Sequence, residues 1–209
     1  MYRKTNLVFM NLLKLTKEEQ LREEAVTAAQ KLFKQYGLHK TTMEDIAKAM
    51  GRGKSTLYYY YKSKDEIFED VVKKEIDELF KKTQSAIDKV VSAEDKLKTY
   101  FSVSLKTIKN KVNLYKIVRS ELVENLLQIN LLLRKFNTQE IHVVKEILLL
   151  GVNNKEFNAT LRNDIDLLAY SAVSVFRSLL VDLAIEDKFP NWDKRLNIII
   201  NLLIRGIKT

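Results

Sequence analysis

Apolar residues recur along most of this chain with the period of helices. Between Glu18 and Tyr36, Leu21, Ala25, Ala28, Ala29, Leu32, Phe33 and Tyr36 form the stripe of an amphipathic helix, and Gly37 ends it. Thr42 can cap the amides of Glu44 or Asp45 and so opens a shorter helix, with Ile46, Ala47 and Met50 on its apolar side and Gly51 at its close. Only Arg52 and Gly53 then precede "KSTLYYYY", so the pair reads as helix, tight glycine turn, helix. Ser63, with Glu66 three residues on, has the spacing of a capping box and starts a longer helix through Ile67, Phe68, Val71, Val72, Ile76, Leu79 and Phe80. Ser92 offers the next cap, before Leu97, Tyr100, Phe101, Leu105 and Ile108. Further helical periods appear near 112–124, 128–150, 164–185 and 192–207, separated by "NKVN", "GVNNKEFNATLRND" and "DKFPNW".

Composition supports an all-α fold, because five Gly and one Pro in 209 residues leave few turns for a sheet protein. With no Cys, disulfides, thiolate metal sites and cysteine nucleophiles are excluded, and His39 and His142 stand too far apart in sequence to share a helix face. No metal or cofactor is expected. The start "MYRKTNLVFMNLLKL" lacks the cleavage pattern of a signal peptide, and "LNIIINLLI" is too short to cross a bilayer. A soluble, cytoplasmic protein without a membrane partner is the expectation. Residues 1–15 read as a basic arm, a disordered tail, or sequence upstream of a start at Met10.

Charge changes the picture more by its distribution than by its total of +9. Residues 1–64 carry 13 Lys and Arg against six Asp and Glu, whereas the remainder is nearly balanced at 23 against 21. A basic head on a near-neutral body fits a polyanion-binding module joined to a part with another task. No carboxylate pair or nucleophile–base set stands out, so an enzyme is not the reading; a membrane-surface or protein-binding module is the remaining rival.

The stretch "GRGKSTLYYYYKSKDEIF" concentrates the chemistry. Gly53-Lys54-Ser55 spells the tail of a phosphate-binding loop, but Lys48 stands where that loop needs a glycine and a helix precedes it instead of a strand. A buried strand would suit four tyrosines, yet lysines flank them closely and no partner strand is visible. On a helix, successive tyrosines point roughly 100° apart, so they cannot share one task. Leu57 and Tyr61 can face a core together, leaving Lys54, Ser55, Thr56, Tyr58, Tyr59 and Tyr60 on the remaining face. A short helix with cationic and hydroxyl groups at its N-terminal end is what a helix-turn-helix presents to a DNA major groove.

"AAQKLFKQYG" followed by "TTMEDIAKAMGRGKSTLYYYYKSKDEIF" closely resembles the DNA-binding domain of the TetR family of bacterial transcriptional repressors, over about residues 20–70. The resemblance implies phosphate anchors at Thr42, Thr56, Tyr60 and Lys64, and groove-facing residues at Lys54, Ser55, Tyr58 and Tyr59, with Lys54 and Tyr59 reading sequence. Glu44 is placed either to accept from a cytosine amine or to remain a solvated first-turn carboxylate. Arg52 and Gly53 depart from the family pattern: Arg52 offers an extra phosphate contact, and Gly53 brings no side chain to cap the following helix.

The same resemblance implies a homodimer on a palindromic operator in duplex DNA, released by an unidentified small-molecule inducer. The division expected is an extension at 1–15, a helix-turn-helix domain at 16–64, and a helical ligand-binding and dimerisation domain at 65–209. Leu167, Ser171, Ser174 and Ser178, with Ile199, Leu202 and Leu203, are the expected dimer interface, because small residues allow close packing and the last helix is apolar on nearly every side. Tyr100, Tyr115, Arg119, His142, Tyr170 and Arg177 are polar groups in apolar surroundings and are the expected lining of an inducer pocket.

Overall fold

The computed structural model describes residues 16–110, 127–180, 182–183, 188–189 and 191–208. Its architecture is all-helical, and the chain divides into two compact units, Met1–Lys73 and Lys74–Thr209.

In the first unit, helix α1 (Lys17–Tyr36) opens on a capping box: the Thr16 hydroxyl accepts from the Glu19 amide, and the Glu19 carboxylate accepts from the Thr16 amide at 2.7 Å. The helix ends at Gly37, whose φ of 85° lies in the region that favours glycine. Helix α2 (Met43–Ala49) uses the same device, with Thr42 and Asp45 exchanging amide bonds at 2.9 and 3.2 Å. The hydrogen bonds from Thr42 hold the Asp45 carboxyl below its ordinary range. Gly51, at φ 66°, turns the chain towards helix α3 (Lys54–Tyr60).

The apolar stripes of these helices converge. Ala29, Phe33, Ile46, Leu57, Ile67 and Phe68 are all fully buried or nearly so, with Phe33 edge-on to Phe68 at 5.7 Å. Tyr61 closes this core just beyond α3, as its spacing from Leu57 predicts. Its hydroxyl donates to Asp70 at 2.7 Å and the Arg22 guanidinium lies 4.8 Å above its ring. Burial, then the Asp70 carboxylate, push the phenol well above its usual range, so it stays protonated.

Helix α4 (Lys64–Ile87) contains the division between the units. At its start Ser63 accepts from the Glu66 amide, but the Glu66 carboxylate takes the amide of Lys62, one residue earlier than a regular capping box would.

The second unit continues with α5 (Ala93–Asn110), α6 (Leu127–Asn153), a 3₁₀ turn (Ala159–Asp164), α7 (Ile165–Leu180) and α8 (Trp192–Arg205). Helix α6 packs against α7 and α5, and α5 against α8. The core between them includes Phe101, Leu105, Val144, Leu148, Val173, Phe176 and Ile200. The break expected from Gly151 onward begins later, because α6 runs through that glycine. The Phe157 ring folds back to 2.1 Å from where a Cβ on residue 151 would lie, so the glycine serves a close approach there and not a turn. Glu156 then accepts from the Ala93 and Glu94 amides at 3.0 and 3.1 Å, joining this loop to the N-terminus of α5. Burial acts to raise its pKa, and the two amide hydrogen bonds outweigh that effect, so its carboxyl titrates below the ordinary range.

Candidate nucleic-acid interface

Helix α3 is held from beneath by Leu57 and Tyr61 and is open above. Lys54, Ser55, Tyr58 and Tyr59 are exposed, Tyr59 at 81 %, whereas Thr56 and Tyr60 are half-buried. The Tyr59 and Tyr60 rings meet edge-on at 4.9 Å, so one ring limits the freedom of the other. Gly53 takes the N-cap position in an extended conformation, with no side-chain hydrogen bond to the first amides of the helix. The Thr56 amide donates to the Gly53 carbonyl at 3.0 Å.

Lys54 is not isolated. Its ammonium donates to the Glu44 carboxylate at 2.8 Å and lies 5.9 Å from the Tyr58 ring centre. The Glu44 hydrogen bond raises the lysine pKa, so Lys54 carries its charge throughout the neutral range. This contact links the first turn of α2 to the first turn of α3 and sets a donor beside an acceptor on the exposed side. Opposite charges ten residues apart across a turn give no sequence signal, and reading the chain alone misses the pairing. Glu24 is a second such partner, facing Arg52 at 3.5 Å from α1. Thr42 is exposed, with its hydroxyl engaged in the α2 cap. Lys64 donates to the carbonyls of Leu38 at 2.7 Å and Thr41 at 3.0 Å, so it ties α4 to the turn between α1 and α2.

The second unit holds an apolar cavity of about 240 Å³ among α5, α6, α7 and α8. Of the residues expected to line an inducer pocket, Tyr100, His142, Tyr170 and Arg177 do not line this cavity. Tyr170 and His142 are exposed. Tyr100 and Arg177 instead converge on Glu140, which is only 6 % exposed. The tyrosine hydroxyl donates to its Oε1 at 2.7 Å, and the guanidinium donates twice to its Oε2, at 3.1 and 2.5 Å. Two polar groups in apolar surroundings thus satisfy one buried carboxylate that periodicity alone did not single out. Tyr115 and Arg119 lie outside the described residues.

The expected interface residues share exposed faces. On α7, Leu167, Ser174 and Ser178 are exposed and Ser171 is half-buried; together with Tyr170 and Val175 they recur at helical spacing along one stripe. On α8, Leu202 and Leu203 are exposed beside Ile198, and Ile199 is half-buried. Among the described residues no helix is long and apolar enough to cross a membrane, and no cluster of His, Asp or Glu could hold a metal ion.

The family pattern described as "Bacterial regulatory proteins, tetR family" matches residues 25–71, the interval that contains α2, α3 and their core. Over that interval the chain carries the DNA-binding domain pattern of the TetR family. All ten expected DNA-contacting residues fall within the matched interval. The chain is 33 % identical over 90 residues to the HTH-type transcriptional repressor KstR2 of Mycolicibacterium smegmatis. That alignment covers 43 % of this chain and 44 % of the repressor, so the chain spans under half the length of this relative. A transcriptional regulator from Cytophaga hutchinsonii superimposes with a TM-score of 0.72 at 28 % identity, over 90 % of this chain and 98 % of that one. The regulator FadR of Bacillus subtilis, solved in complex with stearoyl-CoA, has a TM-score of 0.71 at 20 % identity, over 88 % of this chain and 98 % of its own. Both carry the same fold as this chain.

Proposed function

We propose that the protein is a homodimeric transcriptional repressor that binds a palindromic operator in cytoplasmic DNA and is released by a small-molecule inducer. The observation that carries this reading is the open face of α3 within the family-matched segment. Lys54, Ser55, Tyr58 and Tyr59 stand there as exposed donors and aromatic surfaces over a closed core. Such a helix enters the major groove end-on, with its first residues at the base edges. Lys54 and Tyr59 read sequence, while Arg52, Thr42, Thr56 and Tyr60 meet phosphate. Lys54 exchanges Glu44 for a base acceptor on DNA, or the pair acts together, with Glu44 accepting from a cytosine amine. Lys64 contributes first by holding the turn before α2, and shares its ammonium with phosphate second.

Self-association through α7 and α8 would cover Leu167 and Leu202, which are 63 % and 71 % exposed in the single chain, and would pair two heads for successive major grooves. Ligand in the body favours a dimer whose heads are wrongly spaced, which releases DNA. The reading is that of a regulator and not of an enzyme.

The test is binding of the full chain to duplexes selected from a random pool, against scrambled versions at two salt concentrations, with light scattering at micromolar protein. A two-fold symmetric selected sequence, a specificity ratio of at least about 10³, and a dimer are expected. Binding that follows salt but ignores sequence, or a monomer, would contradict the proposal.

A further inference from the structure

The cavity in the second unit has an unusual uniformity. Among the described residues its walls are formed by sixteen side chains, of which Ser171 alone carries a polar atom. Phe101 and Phe176, with ring centres 4.7 Å apart, belong to this wall. The Tyr100, Glu140 and Arg177 side chains do not, and their polar atoms satisfy one another. Among the described lining residues no cation or amide could receive a carboxylate or phosphate. A charged group moved inside would lose its hydration without replacement, whereas a hydrocarbon would gain from the transfer. Dry apolar cavities of roughly 150 Å³ admit a benzene ring. One of about 240 Å³ therefore suits a somewhat larger hydrocarbon body, on the order of ten non-hydrogen atoms.

The mouth of the cavity can also be placed. Val175 and Leu203 line it and are themselves about half exposed, at 50 % and 49 %. The opening therefore lies on the side where the α7 and α8 stripes meet solvent.

We infer that this cavity is a binding site for a small uncharged aliphatic or alicyclic molecule. The inference rests on the reading of the second unit as the ligand-binding part and gives that ligand a chemical class. It separates this chain from a simple analogy with the stearoyl-CoA complex, because a coenzyme A ester brings phosphates for which the described walls have no partner. The single hydroxyl of Ser171 can satisfy one alcohol or carbonyl oxygen.

The experiment compares 1-nonanol, nonanoate and nonanoyl-CoA as probes of the full-length chain near neutral pH, by thermal shift and calorimetry. Saturating 1-nonanol is expected to raise the melting temperature by about 5 °C, with at least about tenfold weaker binding of the two anions. Ala172→Leu, which grows a side chain into the cavity, is expected to reduce the nonanol shift below about 1 °C. Leu148→Phe is the second filling variant, for use if Ala172→Leu does not fold. No shift with 1-nonanol, an equal response to nonanoate or nonanoyl-CoA, or an undiminished shift in a folded filling variant would overturn the inference. So would a filling variant that takes no probe and dissociates to monomer, since that outcome assigns the cavity to a side chain of a second copy. Operator binding measured on the same samples separates the two proposals. If 1-nonanol binds and DNA stays bound, the site stands and its role as inducer site falls; if DNA binding is intact and no neutral probe binds, the site falls alone.

Discussion

The two units of this chain use their apolar residues in opposite ways. The first closes its core completely around Phe33, Leu57, Tyr61 and Phe68 and places its chemistry outside, on a seven-residue helix whose outer side chains are restrained by Glu44 and by one another. The second leaves a gap inside, at the cavity, and leaves apolar stripes outside, on α7 and α8. A surface that recognises a regular polymer needs fixed positions for a few polar groups, which a rigid core and the capped helix α2 beneath α3 supply. A ligand site needs volume and chemistry but no fixed sequence spacing, and several long helices can supply that in many ways.

Substitutions test this contrast most strongly in the core of the first unit. Phe33→Ala should cost about 3–5 kcal/mol, enough to unfold the head and abolish operator binding. Urea denaturation should show an early transition while the second unit keeps most of its helical signal; a single unchanged transition would break the distinction between the units. In the second unit, Arg177→Ala leaves the Glu140 carboxylate with the Tyr100 hydroxyl alone. Removing one partner of a buried pair costs several kcal/mol, and the partial exposure of Arg177 reduces this to about 2 kcal/mol. Denaturation should show that loss, whereas operator affinity measured on folded protein should stay within about twofold. A large change in DNA affinity would mean that the buried pair serves recognition as well as stability.

Much of the first unit was legible because its signals are local. Thr42 and Asp45 lie within one turn, Gly37 and Gly51 end helices at positive φ, and the spacing of Leu57 and Tyr61 assigns two side chains to the core. The Glu44–Lys54 contact and the Lys64 hydrogen bonds were not legible, since they join residues through the turn geometry and not through periodicity. In the second unit the helices were readable to within a few residues, except where Phe157 folds onto Gly151 and lets α6 continue. The expected pocket residues and the observed cavity do not coincide. Two of them, Tyr100 and Arg177, were needed to satisfy Glu140, and two others, His142 and Tyr170, point to solvent. Cavity walls made of ordinary core residues carry no sequence mark that separates them from a filled core.

The smallest change bears most directly on the central claim, that the open face of α3 reads DNA sequence. Tyr59 is largely exposed and contributes little to the core, so Tyr59→Ala should leave the melting temperature within about 1 °C. Its effect should appear in discrimination, as a loss of about 1–2 kcal/mol. The decisive measurement is the ratio of affinities for the selected operator and a scrambled duplex, at one salt concentration, for the natural chain and Tyr59→Ala. The account predicts a roughly tenfold fall in that ratio with affinity for the scrambled duplex nearly unchanged. An unaltered ratio, or an equal loss on both duplexes, would contradict it.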